Sequence, residues 1–209
     1  MSSSNRILKI YKSRKTILDL LDGYNGYDAS DYSNFSINEI DAMLSNNQLD
    51  MLLKHKTNNK KVYVKYYLNS KQIRPQVLDE VIEDLFLVEN ILTKQDTLII
   101  IIEDEPNDTI INKLLYLYNN EDIFIIIHNI QRLQFNILQH SLVPEMKILS
   151  ENEVIELKKK FNLKNNNQLP EISRFDPQAL ALTMRPGDVC HIQRNSVTSL
   201  DYDYYRICK

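Results

Sequence analysis

Two short, unbroken apolar runs, Leu98 to Ile102 and Ile123 to Ile127, constrain this chain more than any other feature. At five residues each they fall far short of the roughly 20 needed to cross a bilayer. Unbroken isoleucine-rich runs read instead as strands buried on both faces, the habit of parallel sheets. From Thr109 to Tyr118 the apolar residues recur at helical spacing, and strand, helix, strand is the parallel crossover unit. The N-terminal region is therefore expected to be α/β.

The flanking segments fit that frame. Ile7, Ile10, Tyr11, Ile17, Leu18 and Leu21 give Arg6 to Asp22 one buried helical face, and Gly23 closes it. Ser36-Ile37-Asn38-Glu39 is a capping box ahead of Ile40 and Leu44. Lys61 to Leu68 alternates, Val62, Val64, Tyr66 and Leu68 against Tyr63, Lys65 and Tyr67, as a half-exposed strand does after a turn at Asn58-Asn59. Pro75 stands at a first helical position with Val77, Leu78, Val81, Ile82, Leu85 and Val88 behind it. A further apolar segment runs from Leu133 to Leu138, and the pattern changes near 140–145. Ser150-Glu151-Asn152-Glu153 is a second capping box, opening a helix through Val154, Leu157 and Phe161 that Asn165-Asn166-Asn167 breaks. Asp176-Pro177 caps a short helix, Arg185-Pro186-Gly187-Asp188 turns, and strands follow at Val189 to Arg194 and Tyr202 to Ile207. With 209 residues, 43% hydrophobic and 25% charged, the chain has the make-up of a folded protein of two domains. The expected division is 1–140 and 141–209, the second a small α+β domain of marginal size that needs a partner.

Several function classes are excluded. The three glycines, Gly23, Gly26 and Gly187, cannot make a dinucleotide fingerprint, a Walker loop or a nucleophile elbow. Cys190 and Cys208 form no C-x-x-C, and His55, His128, His140 and His191 show no metal spacing, so no cofactor is expected. The Ser-rich start leads into a charged amphipathic pattern rather than a secretory signal, and an intracellular, reducing location is expected. The 22 Asn and 25 Ile have AT-rich codons, which fits a viral source.

The net charge of −3 does not announce nucleic-acid binding. Locally the picture differs: Met51 to Leu78 holds no acid, while Lys54, Lys56, Lys60, Lys61, Lys65, Lys71 and Arg74 supply seven positive charges among Tyr63, Tyr66 and Tyr67. A second patch, Arg6, Lys9, Lys12, Arg14 and Lys15, precedes the first acid, Asp19. Either is a solvated face or a phosphate-facing one. On the phosphate-facing reading, Lys60, Lys61 and Lys65 are the expected DNA-proximal residues.

The C-terminal residues carry more than pattern. Leu142-Val143-Pro144-Glu145, Ile148-Leu149-Ser150, Gln168-Leu169-Pro170-Glu171-Ile172, Asp176-Pro177-Gln178-Ala179-Leu180, Arg185-Pro186-Gly187-Asp188-Val189, Ile192-Gln193-Arg194, Ser196, Thr198-Ser199 and Tyr205-Arg206-Ile207-Cys208 follow in order. This resembles the fifth subunit of eukaryotic RNA polymerases and its archaeal counterpart over about 142–209. Phe135 to His140 resembles the end of that family's N-terminal domain. The resemblance implies a non-catalytic subunit of a multisubunit DNA-directed RNA polymerase, with an N-terminal α/β jaw domain of nuclease-like sheet and helices beside downstream duplex DNA. It also implies a C-terminal α+β assembly domain docked on the largest subunit. Other polymerase subunits would be partners, with no membrane. The location would be the virion and the infected-cell cytoplasm or viral factory for a viral source, and the nucleus for a cellular one.

The expected docking residues are Arg174, Asp176, Pro177, Arg185, Gly187, Arg194, Tyr204 and Arg206, arginine being enriched at interface hot spots. Tyr204 and Tyr205 point to opposite faces of a strand, one toward the core and one toward a partner, in an order the sequence leaves open. The chain departs from the family pattern where a glycine is usual, reading Leu182-Thr183-Met184 before the turn and Leu200-Asp201 in the final hairpin. Where the family's loop after the middle jaw strand approaches DNA, it reads Glu103-Asp104-Glu105-Pro106-Asn107-Asp108, which repels phosphate.

Two enzyme readings stand beside this. Glu103, Asp104 and Glu105 at a strand end could hold metal in a free-standing nuclease-like enzyme, but Lys65 has no carboxylate beside it on its strand, so the set is incomplete. Cys190 and His191 are adjacent on a strand and face opposite ways, so they make no dyad. A generic adaptor without a DNA role is the third reading.

Overall fold

The computed structural model describes residues 3–196 and 200–209, excepting the side chains of Ser3 and Ser196. It divides into two compact units, Met1–Phe135 and Asn136–Lys209. The expected boundary at 140 thus differs from the observed one by a short turn. Leu133 to Leu138 is split between two single 3-10 turns, Arg132–Gln134 and Ile137–Gln139, and Leu138 of the second packs on the core of the C-terminal unit. Thr198 and Ser199 lie outside the described residues.

The N-terminal unit is a four-stranded sheet in the order β1-β2-β3-β4, made of β1 (Met51–Lys54), β2 (Lys61–Tyr66), β3 (Thr97–Ile102) and β4 (Phe124–Asn129). Strands β2, β3 and β4 run parallel. Every residue of β3 and β4 is buried, as unbroken apolar runs require. The crossovers are α3 (Pro75–Ile82) and α4 (Asp108–Glu121), preceded in the chain by α1 (Ser3–Gly23) and α2 (Ile37–Ser45). The capping box of α2 is formed, with the Ser36 amide donating to Glu39 at 2.7 Å.

Three features of this unit differ from the sequence pattern. Strand β1 has no alternating pattern to announce it; it pairs antiparallel with β2 from Met51↔Val64 to Lys54↔Lys61. Its outer side is occupied by Tyr32, whose hydroxyl accepts from the Leu52 amide at 3.2 Å and donates to the Leu52 carbonyl at 3.3 Å. Helix α3 passes into a π turn, Glu83–Val88. The extra residue per turn rotates the stripe, so Leu85 is buried while Val88 is 68% exposed. Arg14, expected in a surface patch, is 2% exposed; it donates to the Leu49 carbonyl at 2.7 Å and lies over the rings of Tyr32 and Phe35.

The C-terminal unit holds a sheet in the order β5-β7-β8-β6, with β5 (Glu145–Ile148), β6 (Glu171–Ile172), β7 (Val189–Ser196) and β8 (Leu200–Cys208). Helix α5 (Glu151–Phe161) starts at the expected Ser150 capping box, and α6 (Pro177–Ala181) follows Asp176. The core joins Met146, Ile172, Ala179, Leu182, Met184, Cys190, Ile192 and Cys208. Burial raises both thiols, Cys208 to about 12, so neither is a ready nucleophile.

Candidate docking surface

The β7–β8 ladder sorts the C-terminal side chains by face. Cys190 lies opposite Arg206, Ile192 opposite Tyr204 and Arg194 opposite Tyr202; alternation puts these six on one face. The inner members, Cys190 and Ile192, are core. Farther along, Tyr204 rests against that core and carries a guanidinium on each side, Arg194 at 4.7 Å and Arg206 at 5.2 Å from its ring centre. Neither arginine forms an ion pair with a described residue, and Arg206 Nε is buried without a hydrogen-bond partner. Next to Arg194 opens a shallow cleft of about 490 Å³ bordered by Leu142, Val143 and Pro144, with Leu142 85% exposed.

On the opposite face His191, Asp203 and Tyr205 partner one another and α5. His191 Nε2 meets Asp203 Oδ1 at 2.8 Å, its ring stacks on Tyr205 at 5.0 Å, and Phe161 at the end of α5 touches Tyr205 at 5.8 Å. Tyr204 is therefore the tyrosine on the core face and Tyr205 the one beside α5. Cys190 and His191 do face opposite ways.

The other nominated docking residues have structural work. Arg174 is 3% exposed, its amide donates to the Lys209 carbonyl at 2.7 Å, and its guanidinium lies over Phe175; burial withholds it from a partner. Asp176 caps α6 by accepting from the Gln178 amide at 2.9 Å, with Pro177 at the first helical position. The turn is closed by the Arg185 amide donating to Asp188 at 2.7 Å, and Gly187 adopts φ +97° while its amide reaches the Cys208 carbonyl at 2.9 Å. A side chain at Gly187 would be strained by that backbone.

The expected DNA-proximal lysines are not equivalent. Lys60 is exposed in the β1–β2 turn. Lys61 Nζ donates to the Ile91 carbonyl at 3.1 Å and its amide to Asp96 at 2.6 Å. Lys65 is paired with Asp50 at 3.2 Å, and Asp50 also takes the Tyr63 hydroxyl. Lys56 is paired with Asp22 at 2.7 Å. The acid-free window thus receives acids from outside itself. Asp50, one residue before it, was legible; Asp22 and Asp96 needed the fold. In the acidic loop Glu105 binds Arg132 at 2.8 Å and Asn129 at 3.2 Å, and Glu103 faces Arg6 at 3.8 Å. These carboxylates are held by cations and an amide of the same unit.

Residues 135–208 match the family described as RNA polymerase Rpb5, C-terminal domain, a span that coincides with the C-terminal unit. Among similar proteins, the DNA-directed RNA polymerase subunit Rpo5 of Thermococcus kodakarensis is 50% identical over 74 residues, 35% of this chain and 89% of that protein. The subunit of the same name from Pyrococcus abyssi is 46% identical over the same shares, and that of Aeropyrum pernix 43% identical over 34% of this chain and 77% of its own length. A small mixed domain of this kind, with its strands, caps and turn in this order, is a polymerase assembly module. The chain belongs to the family of the fifth subunit of eukaryotic-type and archaeal DNA-directed RNA polymerases. It is a non-catalytic subunit, and its partners are other subunits of the polymerase.

Proposed function

We propose that the chain docks on the largest polymerase subunit through residues 136–209 and that its N-terminal unit acts as a jaw beside downstream duplex DNA. The observation that carries the docking reading is the coincidence of a compact unit, Asn136–Lys209, with the matched segment 135–208. That segment makes up 89% of the Thermococcus kodakarensis subunit. A segment that is nearly a whole subunit in one polymerase is the part that holds a longer chain in another. Its modest core gains from a partner surface.

The jaw reading rests on exposed basic residues of the β1–β2 hairpin, Lys54 and Lys60. A contact with phosphate depends on potential within about 10 Å at 0.1 M salt, and a polymerase that already holds DNA supplies the effective concentration that one or two lysines lack. The loop from Glu103 to Asp108 turns the opposite charge outward and is left out of the contact.

Two measurements test this. Residues 136–209 should be retained by the immobilised largest subunit and residues 1–135 should not; retention of the N-terminal fragment alone overturns the docking reading. Lys60→Glu should leave assembly intact and lower the salt slope of elongation-complex stability by about 0.9 for its one phosphate contact. An unchanged slope removes Lys60 from the DNA-facing surface.

A further inference from the structure

Among the described residues of the C-terminal unit, two neighbouring cations, the guanidinium groups flanking Tyr204, have no ion-pair partner. Both are half-buried, and a charge partly withdrawn from water favours a counter-charge or hydrogen bonds. Here Arg194 and Arg206 share one aromatic ring, at 4.7 and 5.2 Å, with no ion pair to a described residue, and Arg206 Nε has lost water without gaining an acceptor. Acids of the same hairpin do not serve: Asp203 is held by His191 on the opposite face at 2.8 Å. Lying over Tyr204 brings both groups to one half-exposed site, and a pair of guanidinium groups so placed favours a carboxylate as their acceptor.

We infer that Arg194 and Arg206 form a receptor for a carboxylate side chain of the subunit on which this unit docks, with the Leu142, Val143 and Pro144 cleft taking an apolar neighbour of that residue. The inference rests on the docking reading above. The occupant is an acidic segment of a protein, because the cleft beside Arg194 offers its neighbouring residues both the aliphatic Leu142, Val143 and Pro144 and the hydrogen-bonding Ser141, Gln193 and Asn195, and Leu142, 85% exposed, extends the apolar rim. A nucleic-acid backbone would need successive cations, and beyond Arg194 and Tyr204 the same face continues with the uncharged Tyr202.

The test uses the full chain and the polymerase's largest subunit. Arg194→Met with Arg206→Met keeps the aliphatic stems over Tyr204 and removes the charge. Loss of charge-assisted hydrogen bonds of this kind should weaken binding by about tenfold to a hundredfold and flatten its salt dependence, with the thermal transition of the free protein retained. Arg206→Lys should bind between the two. Independently of any variant, phenylglyoxal should modify Arg194 and Arg206 of the free wild-type chain and be blocked at both in the complex, as read by peptide mass spectrometry. A double variant that binds like wild type with the same salt slope, or arginines equally reactive in the complex, overturns the inference while leaving docking intact. Wild-type chain that does not bind the largest subunit overturns the docking reading itself. Protection of the free chain's arginines by a short DNA duplex, and not by the largest subunit, assigns the site to phosphate and refutes the carboxylate partner.

Discussion

Thr183 ends α6 in a conformation that a β-branched residue rarely adopts. The helix closes with a Schellman motif: the Met184 amide donates to the Ala179 carbonyl at 2.9 Å and the Thr183 amide to the Leu180 carbonyl at 3.2 Å, while Met184 and Ala179 meet in the core. The motif requires a left-handed residue between helix and exit, and Thr183 supplies it at φ +50°. For an L-residue with a Cβ this costs about 1–2 kcal/mol, whereas glycine is free of that term and costs about 0.4–1 kcal/mol more chain entropy in the unfolded state. Thr183→Gly should therefore stabilise the C-terminal unit by a net amount of about 0.5–1 kcal/mol, the difference of those two ranges near their centres. At about 4–8 °C per kcal/mol for a domain of this size, Tm rises by roughly 2–8 °C. The assay is thermal unfolding of residues 136–209 followed by circular dichroism, with Thr183→Ala as control, since alanine keeps the Cβ and removes only the side chain beyond it. A Tm lowered by glycine, or raised as much by alanine, refutes the argument from backbone strain.

Other expected outcomes follow from single residues. His128 is buried, and desolvation holds it down to about 4, so the unfolded chain takes up its proton first as pH falls. Stability is complete above about 6.5 and is lost on the way down to 4, by about 3 kcal/mol at most; urea midpoints across that range should flatten in His128→Leu, and an unchanged slope would contradict the assignment. Arg14→Met strands the Leu49 carbonyl and should cost about 2–3 kcal/mol in urea unfolding; a loss below about 0.5 kcal/mol, the range of ordinary surface changes, would return Arg14 to the surface. Asp176→Ala removes the α6 cap and should cost about 0.5–2 kcal/mol, read as a lower Tm of the C-terminal unit with Asp176→Asn close to wild type. The isolated chain with magnesium or manganese should cleave neither duplex nor branched DNA, and cleavage lost in Glu103→Ala would revive the nuclease reading.

The strands and caps that the sequence made legible are those decided locally. An unbroken run such as Leu98 to Ile102 has no polar face to offer water, so its burial follows from composition alone. The Ser36 and Ser150 boxes are also local, each closed within four residues. Strand β1 escaped because only Met51 and Leu53 of its four residues are buried and its pairing depends on β2 across a turn. The basic window misled because a charge run is a statement about the chain, while an electrostatic patch is a statement about space. Asp22 and Asp96 enter it through tertiary structure, and Asp50 from just outside its edge. Arg14 deceived in the opposite sense, a cation spaced like a surface residue whose partners, the Leu49 carbonyl and two rings, come from other elements. The Arg194, Tyr204 and Arg206 group was nominated from the sequence. Its stacking became visible only once the β7–β8 register set the three side chains on one face.

This chain works as a non-catalytic subunit of the polymerase. The most direct test is to isolate the polymerase from the native source by a tag on another subunit and quantify this protein in the peak of several hundred kDa. This protein should appear in a fixed ratio to the largest subunit across the peak. A polymerase peak devoid of this chain, with the protein migrating by itself, would contradict it.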